Sequence, residues 1–356
     1  MADAGGPAAG GAPVVAVDCN GADLGPGEVA AGAALAAQQG ARVLLFGPAE
    51  ELGPAPDRVT VVDAPVSIAK ASDPARAVRA EPDASIVRAA RAVAEGEADA
   101  LVCAGGTGAA LAAGLFNVRR PPGVFRPALA LPLPVPRGPV TLLDVGANTE
   151  ARREHLVQFA FMGAALGRVV LGVEAPRVGL LSNGEEQARG NSVVLETHAE
   201  LAERVGDDGF FSFVGNVEGG DLLSGEVDVV VTDGFTGNVA LKVMEGTSQA
   251  VIEAIRDAAT TSRRAGAGGM LLRPALGSFR DAIDPERQGG AYLLGLRRLF
   301  VVPHGRFGRR GFAEAILRAQ RGASEDLVGR THAALAEAGA LLERPVSATT
   351  ASLPAP

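Results

Sequence analysis

The chain has 356 residues, of which 47% are hydrophobic and 4% aromatic, and it carries a formal net charge of −8. This length allows one large domain or two of ordinary size, and the negative charge argues against a general nucleic-acid-binding protein. Two cysteines and four scattered histidines have neither disulfide nor zinc spacing, so we expect no metal and no metal cofactor.

The start of the given sequence predicts no targeting signal. Residues 1–12 lack both basic residues and an apolar signal core, and no apolar run reaches the length of a membrane span. We therefore expect a cytoplasmic protein with a disordered start at 1–12 and a single α/β domain at 13–321. Within that domain we expect a helical projection at about 247–285, and residues 322–356 should add one helix and a disordered tail.

Short apolar runs that predict β-strands recur along the chain: Val14–Asp18, Val43–Phe46, Val59–Asp63, Ala100–Ala104, Val140–Val145, Val178–Leu181, Phe210–Val214, Val227–Val231 and Leu299–Val302. Between most of them lie Ala-rich stretches that predict helices: Gly27–Gln39, Ser85–Glu95, Ala109–Leu115, Glu154–Leu166 and Val193–Val205. This alternation indicates an α/β fold with a mainly parallel sheet covered on both faces. Ligands of such sheets bind beyond the carboxyl ends of the strands.

The first two polar corners are DCNGADLGP at 18–26 and CAGGTGAAL at 103–111. Asp18, Gly105 and Thr107 are candidate ligand contacts in these corners, although a capped turn is the commoner meaning of such a sequence. The second corner resembles a phosphate-binding loop, but it has neither the G-x-G-x-x-G pattern nor a Walker lysine. Cys103 lacks a nearby base, so a buried cysteine is a better interpretation than a nucleophile.

Three further corners follow predicted strands. Asn148 and His155 lie in LDVGANTEARREH at 143–155, Asn183 follows the strand that ends at Leu181, and Asn216 follows the strand at 210–214. His155 falls in the first turn of a predicted helix, where the positive end of the helix dipole favours a neutral ring. It is either an acid/base group or a structural histidine that holds a loop.

The corner DGFTGN at 233–238 joins an apolar strand to a helix. Two glycines let the backbone turn sharply, and the free amides of a helix N-terminus form a natural anion site. Asp233, Thr236, Gly237 and Asn238 are therefore candidate anion contacts, although they also suit an ordinary turn and cap. We expect the amides of all these corners to gather at one mouth of the sheet.

Residues 261–321 are strongly basic. They contain twelve arginines and four acidic residues, a local charge of +8, so the remainder carries −16. This asymmetry predicts an acidic protein or lipid partner on one face, and a solvated basic surface is the equal alternative. The apolar residues Met270, Leu271 and Leu272 near Arg273 predict an exposed apolar tip that contacts a membrane surface or a partner.

Several motifs occur in an order that resembles the bacterial phosphate acyltransferase of phospholipid synthesis across about residues 14–321. They are D-x-x-G-x-D-x-G-P at 18–26, A-G-x-T-G-A at 104–109, L-D-V-G-A-N at 143–148, E-H-L-x-Q-F-A at 154–160, G-E-E and G-N within 184–191, G-N-V-E-G-x-D-L-L-S-G at 215–225, D-G-F-T-G-N-V-A-L-K at 233–242, G-G-A-x-L-L-G at 289–295 and H-G at 304–305. Each motif is weak by itself, but the ordered set is specific.

The resemblance implies an α/β/α sandwich similar to isocitrate and isopropylmalate dehydrogenases and to phosphotransacetylases. It also implies a homodimer that transfers a fatty acyl group from acyl carrier protein to inorganic phosphate without a cofactor and touches the membrane peripherally. Phosphate is itself the nucleophile in that reaction, so helix N-termini and amide side chains suffice to hold it.

On this basis we assign hypothetical roles to the candidate residues. Asp233, His155, Lys242 and Asn238 are the catalytic candidates. The phosphate and oxyanion candidates are Asp18, Gly105, Thr107, Asn148, Asn183, Asn216, Thr236 and Gly237. The carrier-protein or membrane candidates are Arg263, Arg264, Arg297, Arg298, Arg309 and Arg310.

The sequence departs from the family pattern at Glu81, Ala84, Gly106, Gly220 and Tyr292, and at the Arg297–Arg298 pair. Two of these changes remove positive charge and two remove hydrogen-bonding side chains. One alternative is therefore a divergent relative that binds carrier protein or transfers a different acyl group with weak activity. A second alternative, a nicotinamide-dependent dehydrogenase, lacks support because no dinucleotide fingerprint follows any predicted strand.

Overall fold

The computed structural model describes residues 11–135, 138–205, 209–282 and 284–342. The disorder predicted at both ends of the chain therefore concerns residues that lie almost entirely outside this description. The eleven strands of the described part are β1 Val14–Asp18, β2 Arg42–Gly47, β3 Val59–Asp63, β4 Ala100–Cys103, β5 Ala128–Leu133, β6 Val140–Leu143, β7 Arg177–Leu181, β8 Ser212–Val217, β9 Val229–Val231, β10 Ala291–Leu294 and β11 Leu299–Val302.

The α-helices of the described part are α1 Pro26–Gln38, α2 Ala49–Leu52, α3 Pro74–Ala80, α4 Ser85–Glu95, α5 Thr107–Ala113, α6 Arg153–Val170, α7 Ser192–Arg204, α8 Gly234–Thr260, α9 Arg263–Ala282, α10 Arg309–Ser324 and α11 Leu327–Glu337. Short irregular helices occupy Gly114–Val118, Gly219–Leu223 and Pro285–Gln288.

All eleven strands form one sheet in the order β3-β2-β1-β4-β11-β10-β5-β6-β9-β7-β8. The pairs among β3, β2, β1, β4 and β11 are parallel, and so are the pairs among β6, β9, β7 and β8. At the centre, β10 is antiparallel to both β11 and β5, and β5 is antiparallel to β6. The mainly parallel α/β fold predicted from the sequence is confirmed.

The central antiparallel strands reverse the direction of the second half of the sheet relative to the first. Strands β1, β4 and β11 therefore end at one edge, which we call the Asp18 edge. Strands β6, β9, β7 and β8 end at the opposite edge, which we call the Asp144 edge. The amino end of β5 and the carboxyl end of β10 also lie at the Asp144 edge, because Ala128 pairs with Leu294.

Alternating side chains along the strands feed two cores, one on each face of the sheet. In β1, Val15 and Val17 belong to a cluster that includes buried residues of α1, α6, α10 and α11. Ala16, between them, belongs to a second cluster with α3, α4, α5 and the first part of α8. The sheet is thus the middle layer of an α/β/α sandwich.

The helices α8 and α9 contact one another, and their outer parts expose many apolar side chains. The helical projection was predicted at 247–285, and the carboxyl-terminal half of α8 together with α9 occupies these positions. Met270, Leu271 and Leu272 are exposed as expected, but they lie inside α9 rather than at a tip, because the chain reverses at Thr261–Ser262. Among the described residues, no helix has the length and apolarity that a membrane crossing requires.

Candidate active site

An open cavity of ≈ 880 Å³ lies at the Asp144 edge. The starts of three helices surround it, and they contribute Thr149, Glu150 and Ala151 before α6, Asn191, Val193 and Val194 at α7, and Thr232, Asp233, Phe235 and Thr236 at α8. The carboxyl end of β7 supplies Leu180, Leu181, Ser182 and Asn183. Because each helix directs the positive end of its dipole toward this space, the cavity favours an anion.

The cavity wall is also partly apolar. Leu156, Leu180, Leu181, Val194 and Phe235 contribute aliphatic and aromatic surface beside the polar groups. The Ser182 Oγ atom is buried and has no hydrogen-bond partner among the described residues. An orphaned buried hydroxyl is costly, so a bound ligand that hydrogen-bonds to it would be stabilised.

The start of α8 is capped by the chain itself. The Asp233 Oδ1 atom accepts a hydrogen bond from the Thr236 N–H at 2.9 Å, and Oδ2 accepts one from the Thr236 hydroxyl at 2.7 Å. The Gly234 N–H donates to the Asn148 carbonyl at 2.7 Å. Several donors that the sequence suggested for an anion are therefore already used, and Asp233 has the geometry of a residue that positions Thr236.

Asp144 is the organising residue of this edge, although it is not among the candidate residues that the sequence suggests. Its carboxylate is fully buried and accepts hydrogen bonds from the backbone N–H groups of Leu129, Gly146, Ala147 and Asn148 and from Asn148 Nδ2, at 2.7–3.1 Å. Burial nevertheless raises the pKa of Asp144 above its ordinary value. The sequence feature that could have predicted this role is the position of Asp144 directly after a buried strand and before a Gly-Ala-Asn turn.

The α8 start packs against Asp144 without free space. A Cβ atom on Gly237 would lie 1.9 Å from the Asp144 carbonyl oxygen, so only glycine fits there. This contact is the reason for the glycine in the DGFTGN corner, and it is a packing role rather than a phosphate contact.

Three predicted phosphate contacts instead hold loops. Asn148 Nδ2 donates to the Pro127 carbonyl and to Asp144, Asn216 Nδ2 donates to the Glu186 carbonyl, and Asn238 Nδ2 donates to the Val145 carbonyl. Among the predicted residues, the cavity is lined by Asn183, Asp233 and Thr236.

His155 is buried, and its ring lies between Phe125 and Phe159, with centroids 5.8 and 6.5 Å away. Its Nδ1 atom accepts a hydrogen bond from the Arg152 N–H at 3.2 Å, which caps the start of α6. Burial lowers the pKa of His155, and the nearby Arg126, Arg152 and Arg120 lower it further, while Glu154 opposes them. The lowered pKa favours the neutral ring, and burial is its largest cause.

Lys242 lies on the exposed surface of α8, two turns beyond its start, and pairs with Glu245 at 2.7 Å. Its ammonium group is used on the helix surface and is not part of the cavity wall. The geometry gives Lys242 no contact with the candidate site.

The expectation of one common mouth is wrong for Asp18, Gly105 and Thr107, because they lie at the opposite, Asp18 edge. There, Asp18 is 2% exposed and accepts hydrogen bonds from Ser85 Oγ at 2.6 Å and from Cys103 Sγ at 3.7 Å. Ala69 fills the corner against Gly105. This edge forms a packed polar network, and Cys103 is buried as the sequence indicated.

The chain matches a family model described as "Fatty acid synthesis protein" over residues 14–330. The phosphate acyltransferase of Pelotomaculum thermopropionicum is 42% identical over 323 residues, covering 89% of this chain and 92% of that protein. The phosphate acyltransferase of Desulforudis audaxviator is 43% identical over 319 residues, covering 88% and 94%. The chain belongs to this fatty acid synthesis protein family.

The fold of this family member is shared with solved phosphotransacetylases. The EutD phosphotransacetylase from Staphylococcus aureus superimposes with a TM-score of 0.55 at 15% identity, covering 88% of this chain and 95% of that chain. A phosphotransacetylase from Streptococcus pyogenes gives 0.57 at 15% identity, with 88% and 94% covered. These likenesses confirm the α/β sandwich.

The departures from the family pattern do not alter the cavity. Gly106 lies at the Asp18 edge, where a Cβ atom would be 2.5 Å from the Ala69 carbonyl oxygen, so an asparagine would not fit without a backbone shift. Ala84 is fully buried at the start of α4, and Tyr292 is buried in β10. Gly220 lies in an exposed turn outside the cavity wall. Nothing in these positions favours the divergent, weakly active alternative.

The basic residues predicted to share one face lie in three places, which corrects that expectation. Arg297 and Arg298 follow β10 at the Asp144 edge, whereas Arg309 and Arg310 begin α10 after β11. Arg309 is engaged by Glu28 at the start of α1. Arg264 is exposed on α9, and Arg263 begins that helix, with a side chain outside the described part of the structure.

The Asp18 network predicts a pH-dependent stability. Burial raises the pKa of Asp18 from 3.8 to about 6, although the hydrogen bonds from Ser85, Asn20 and Cys103 oppose this shift. The neutral acid is therefore favoured by folding. Its contribution, about 3 kcal/mol, is present below pH 3.8 and is lost as the pH rises through about 6.

Replacing Asp18 with Asn should remove this dependence, because the amide keeps the shape but does not ionise. We expect the free energy of unfolding of the Asp18→Asn protein, relative to the original, to rise between pH 4 and pH 7. Denaturant unfolding at several pH values measures this difference, with Asp57→Asn, an exposed carboxylate, as the control. A difference that stays constant across the range would contradict the assignment.

Proposed function

We propose that this family member is a phosphate acyltransferase that moves a fatty acyl group from acyl carrier protein to inorganic phosphate. The product, an acyl phosphate, would serve phospholipid synthesis. The observation that carries the proposal is the cavity at the Asp144 edge, where three helix N-termini and the orphaned Ser182 hydroxyl adjoin an apolar wall. The names of the relatives, phosphate acyltransferases at 42% and 43% identity, point to the same reaction.

The reaction needs an anion and a thioester in contact. An oxygen of hydrogen phosphate attacks the thioester carbonyl, a C–O bond forms, and the C–S bond breaks. The phosphate proton ends on the departing carrier thiol, so atoms and charge balance without a covalent enzyme intermediate. The protein's task is to hold both reactants and stabilise the oxyanion of the tetrahedral intermediate.

Different residues around the cavity would hold the phosphate and the acyl group. Asn183 and Ser182, which carry an amide and a hydroxyl, line the space where three helix dipoles favour negative charge. Asp233 orients Thr236 through two hydrogen bonds. Leu156, Leu180 and Phe235 provide an apolar surface beside these groups, which suits the start of an acyl chain.

Asn183→Ala is the direct test of this site. Loss of a hydrogen bond to a charged ligand costs about 1.5–3 kcal/mol, so kcat/KM for phosphate should fall about 10- to 100-fold. Acyl phosphate formed from acyl-acyl carrier protein can be trapped with hydroxylamine and quantified. Gln39→Ala, which removes an exposed amide beside β2 in the other half of the sheet, should retain activity. No acyl phosphate from the unaltered protein would refute the function itself.

We also propose that the enzyme is a homodimer in the cytoplasm. The long helix α8 exposes an apolar row at Phe235, Val239 and Val243, which are spaced four residues apart. Such a row on a helix is unfavourable in water, and a second copy of the chain offers the same surface for burial. The row begins at the cavity, so a dimer would also shield that mouth.

Placing a charge in this row should separate the subunits. We expect the unaltered protein to have twice its 36.0 kDa chain mass in light scattering, and Val239→Glu with Val243→Glu to have the mass of one chain. Val66→Glu, a partly exposed valine in the other half of the sheet, is the matched control. A monomeric original protein, or a double variant that remains dimeric, would overturn the proposed interface.

A peripheral membrane contact is the third part of the proposal. Met270, Leu271 and Leu272 are 74%, 84% and 58% exposed on α9, and the exposed Arg264 and Arg273 lie on the same helix. Apolar side chains flanked by cations suit an anionic lipid surface, where the former enter the interface and the latter meet headgroups.

Leu271→Asp should weaken this contact, because it places a carboxylate where the apolar insertion would occur. In flotation with vesicles that contain phosphatidylglycerol, we expect the unaltered protein to float and the variant to remain at the bottom. Leu24→Asp, at a leucine on another surface that is 60% exposed, should float normally. Equal flotation of all three proteins would remove α9 from the membrane contact.

A further inference from the structure

A second group of arginines lies at the Asp144 edge, next to the cavity, and most of it falls outside the basic segment at 261–321. We call Arg119, Arg120, Arg126, Arg152 and Arg297 the arginine collar. All five side chains are exposed. They come from three segments, namely the loop before β5, the residues before α6 and the loop between β10 and β11.

Backbone contacts fix two of these loops side by side. The Arg297 N–H donates to the Arg119 carbonyl at 3.0 Å, and Arg297 Nε donates to the Arg120 carbonyl at 3.2 Å. Arg119 adopts a left-handed backbone with φ of 68°, which is uncommon for a residue with a side chain. The surrounding hydrogen bonds hold it in this conformation, so the collar is a built surface rather than a set of loose side chains.

The collar adjoins the cavity through the start of α6. Arg152 directly follows Ala151, which lines the cavity. The Pro127 carbonyl accepts a hydrogen bond from Asn148 Nδ2 at 2.7 Å, which fixes the loop before β5 to the same corner. The positive charges of Arg126, Arg152 and Arg120 all act on His155 in the first turn of that helix. The positive potential therefore reaches the mouth of the cavity.

Little negative charge in the described structure neutralises the collar. Neither Arg119 nor Arg126 pairs with a carboxylate among the described residues, and Arg152 has only a 4.0 Å contact with Glu154. Glu150 and Asp233 add two carboxylates on the adjacent cavity wall, and neither forms an ion pair with these three arginines in the described part of the chain. Grouped arginines without counterions repel each other, and an acidic partner would relieve this repulsion.

We propose that the arginine collar docks the acidic surface of acyl carrier protein and directs its thioester into the adjacent cavity. This inference rests on the proposed function, because it takes the carrier as the acyl donor. The complementarity of charge would increase the association rate and fix the orientation of the carrier over the cavity mouth. Arg309 does not take part, since Glu28 already engages it at the opposite edge.

The test compares binding of the carrier with turnover of a carrier-free thioester. Fluorescently labelled holo-acyl carrier protein is titrated with the unaltered protein, with Arg119→Glu, and with the double variant Arg119→Glu/Arg126→Glu. We expect the Kd at low salt to increase at least 10-fold in the double variant, with a smaller increase in the single variant. The difference should shrink as salt screens the charges.

The matched control is Arg42→Glu/Arg91→Glu, which reverses two exposed arginines in the outer part of the other half of the sheet. Turnover of an acyl-pantetheine should be unchanged in Arg119→Glu, because that side chain does not touch the cavity wall. The same measurement on the double variant detects any effect that Arg126 exerts through His155.

Each outcome of these measurements either supports or overturns the proposed docking surface. An unaltered protein that does not bind the carrier, an unchanged Kd in the double variant, or an equal loss in the control would overturn the collar as the docking surface. If the carrier binds through the collar but no thioester yields acyl phosphate, the docking surface stands and the proposed function fails. Selective loss of carrier binding, with acyl-pantetheine turnover preserved in Arg119→Glu, supports both.

Discussion

The buried carboxylate of Asp144 is the constraint on which the candidate site depends. It gathers the N–H groups of Leu129, Gly146 and Ala147 and both nitrogens of Asn148 around one point, and the start of α8 rests against its backbone. A carboxylate without these donors would be too costly to bury, whereas these five donors tie the start of β5 to the loop after β6. The start of α8, which lines the cavity, therefore rests on a fixed support before any ligand arrives.

The reversal of the sheet explains why only part of the chain's polar corners belong to the site. Strands β1 and β4 end at one edge, and strands β6, β9 and β7 end at the other. Similar strand-turn-helix corners therefore lie in different surroundings. At the Asp18 edge, Ala69 and Ser85 fill the corner and satisfy the carboxylate. At the Asp144 edge, the corners remain open to solvent and border the collar. One edge contributes stability, and the other offers space for chemistry.

The sequence predicted the class of the fold, nine of the strands and the polar corners, because apolar periodicity and glycine-rich turns are local signals. Strands β5 and β10 were missed. The first contains Pro132, which normally argues against a central strand, and the second has only four residues. These two strands reverse the sheet, so their omission also produced the mistaken single mouth.

Residue roles were harder to predict than the corners that contain them. Asn148, Asn216 and Asn238 have the donors that an anion needs, yet the fold uses these donors on carbonyl groups of neighbouring loops. Lys242 meets Glu245 on its own helix. Such partners are distant in sequence or depend on helix orientation, so no local pattern reveals them. The arginine collar could not be predicted from the sequence for the same reason, because it brings residues 119–126 together with Arg152 and Arg297.

The continuity of α8 has a mechanical consequence. Its 27 residues form a rod about 40 Å long, which starts at Asp233 on the cavity wall and ends beside the exposed helix α9. The close contact between Gly237 and Asp144 fixes this helix near its start. Thr236 lies one residue from this contact, whereas Thr260 at the far end lies about 35 Å away. A tilt of the helix about this contact would therefore move the outer end much more than Thr236, so whatever the outer helices touch can change their position while the width of the pocket stays nearly constant.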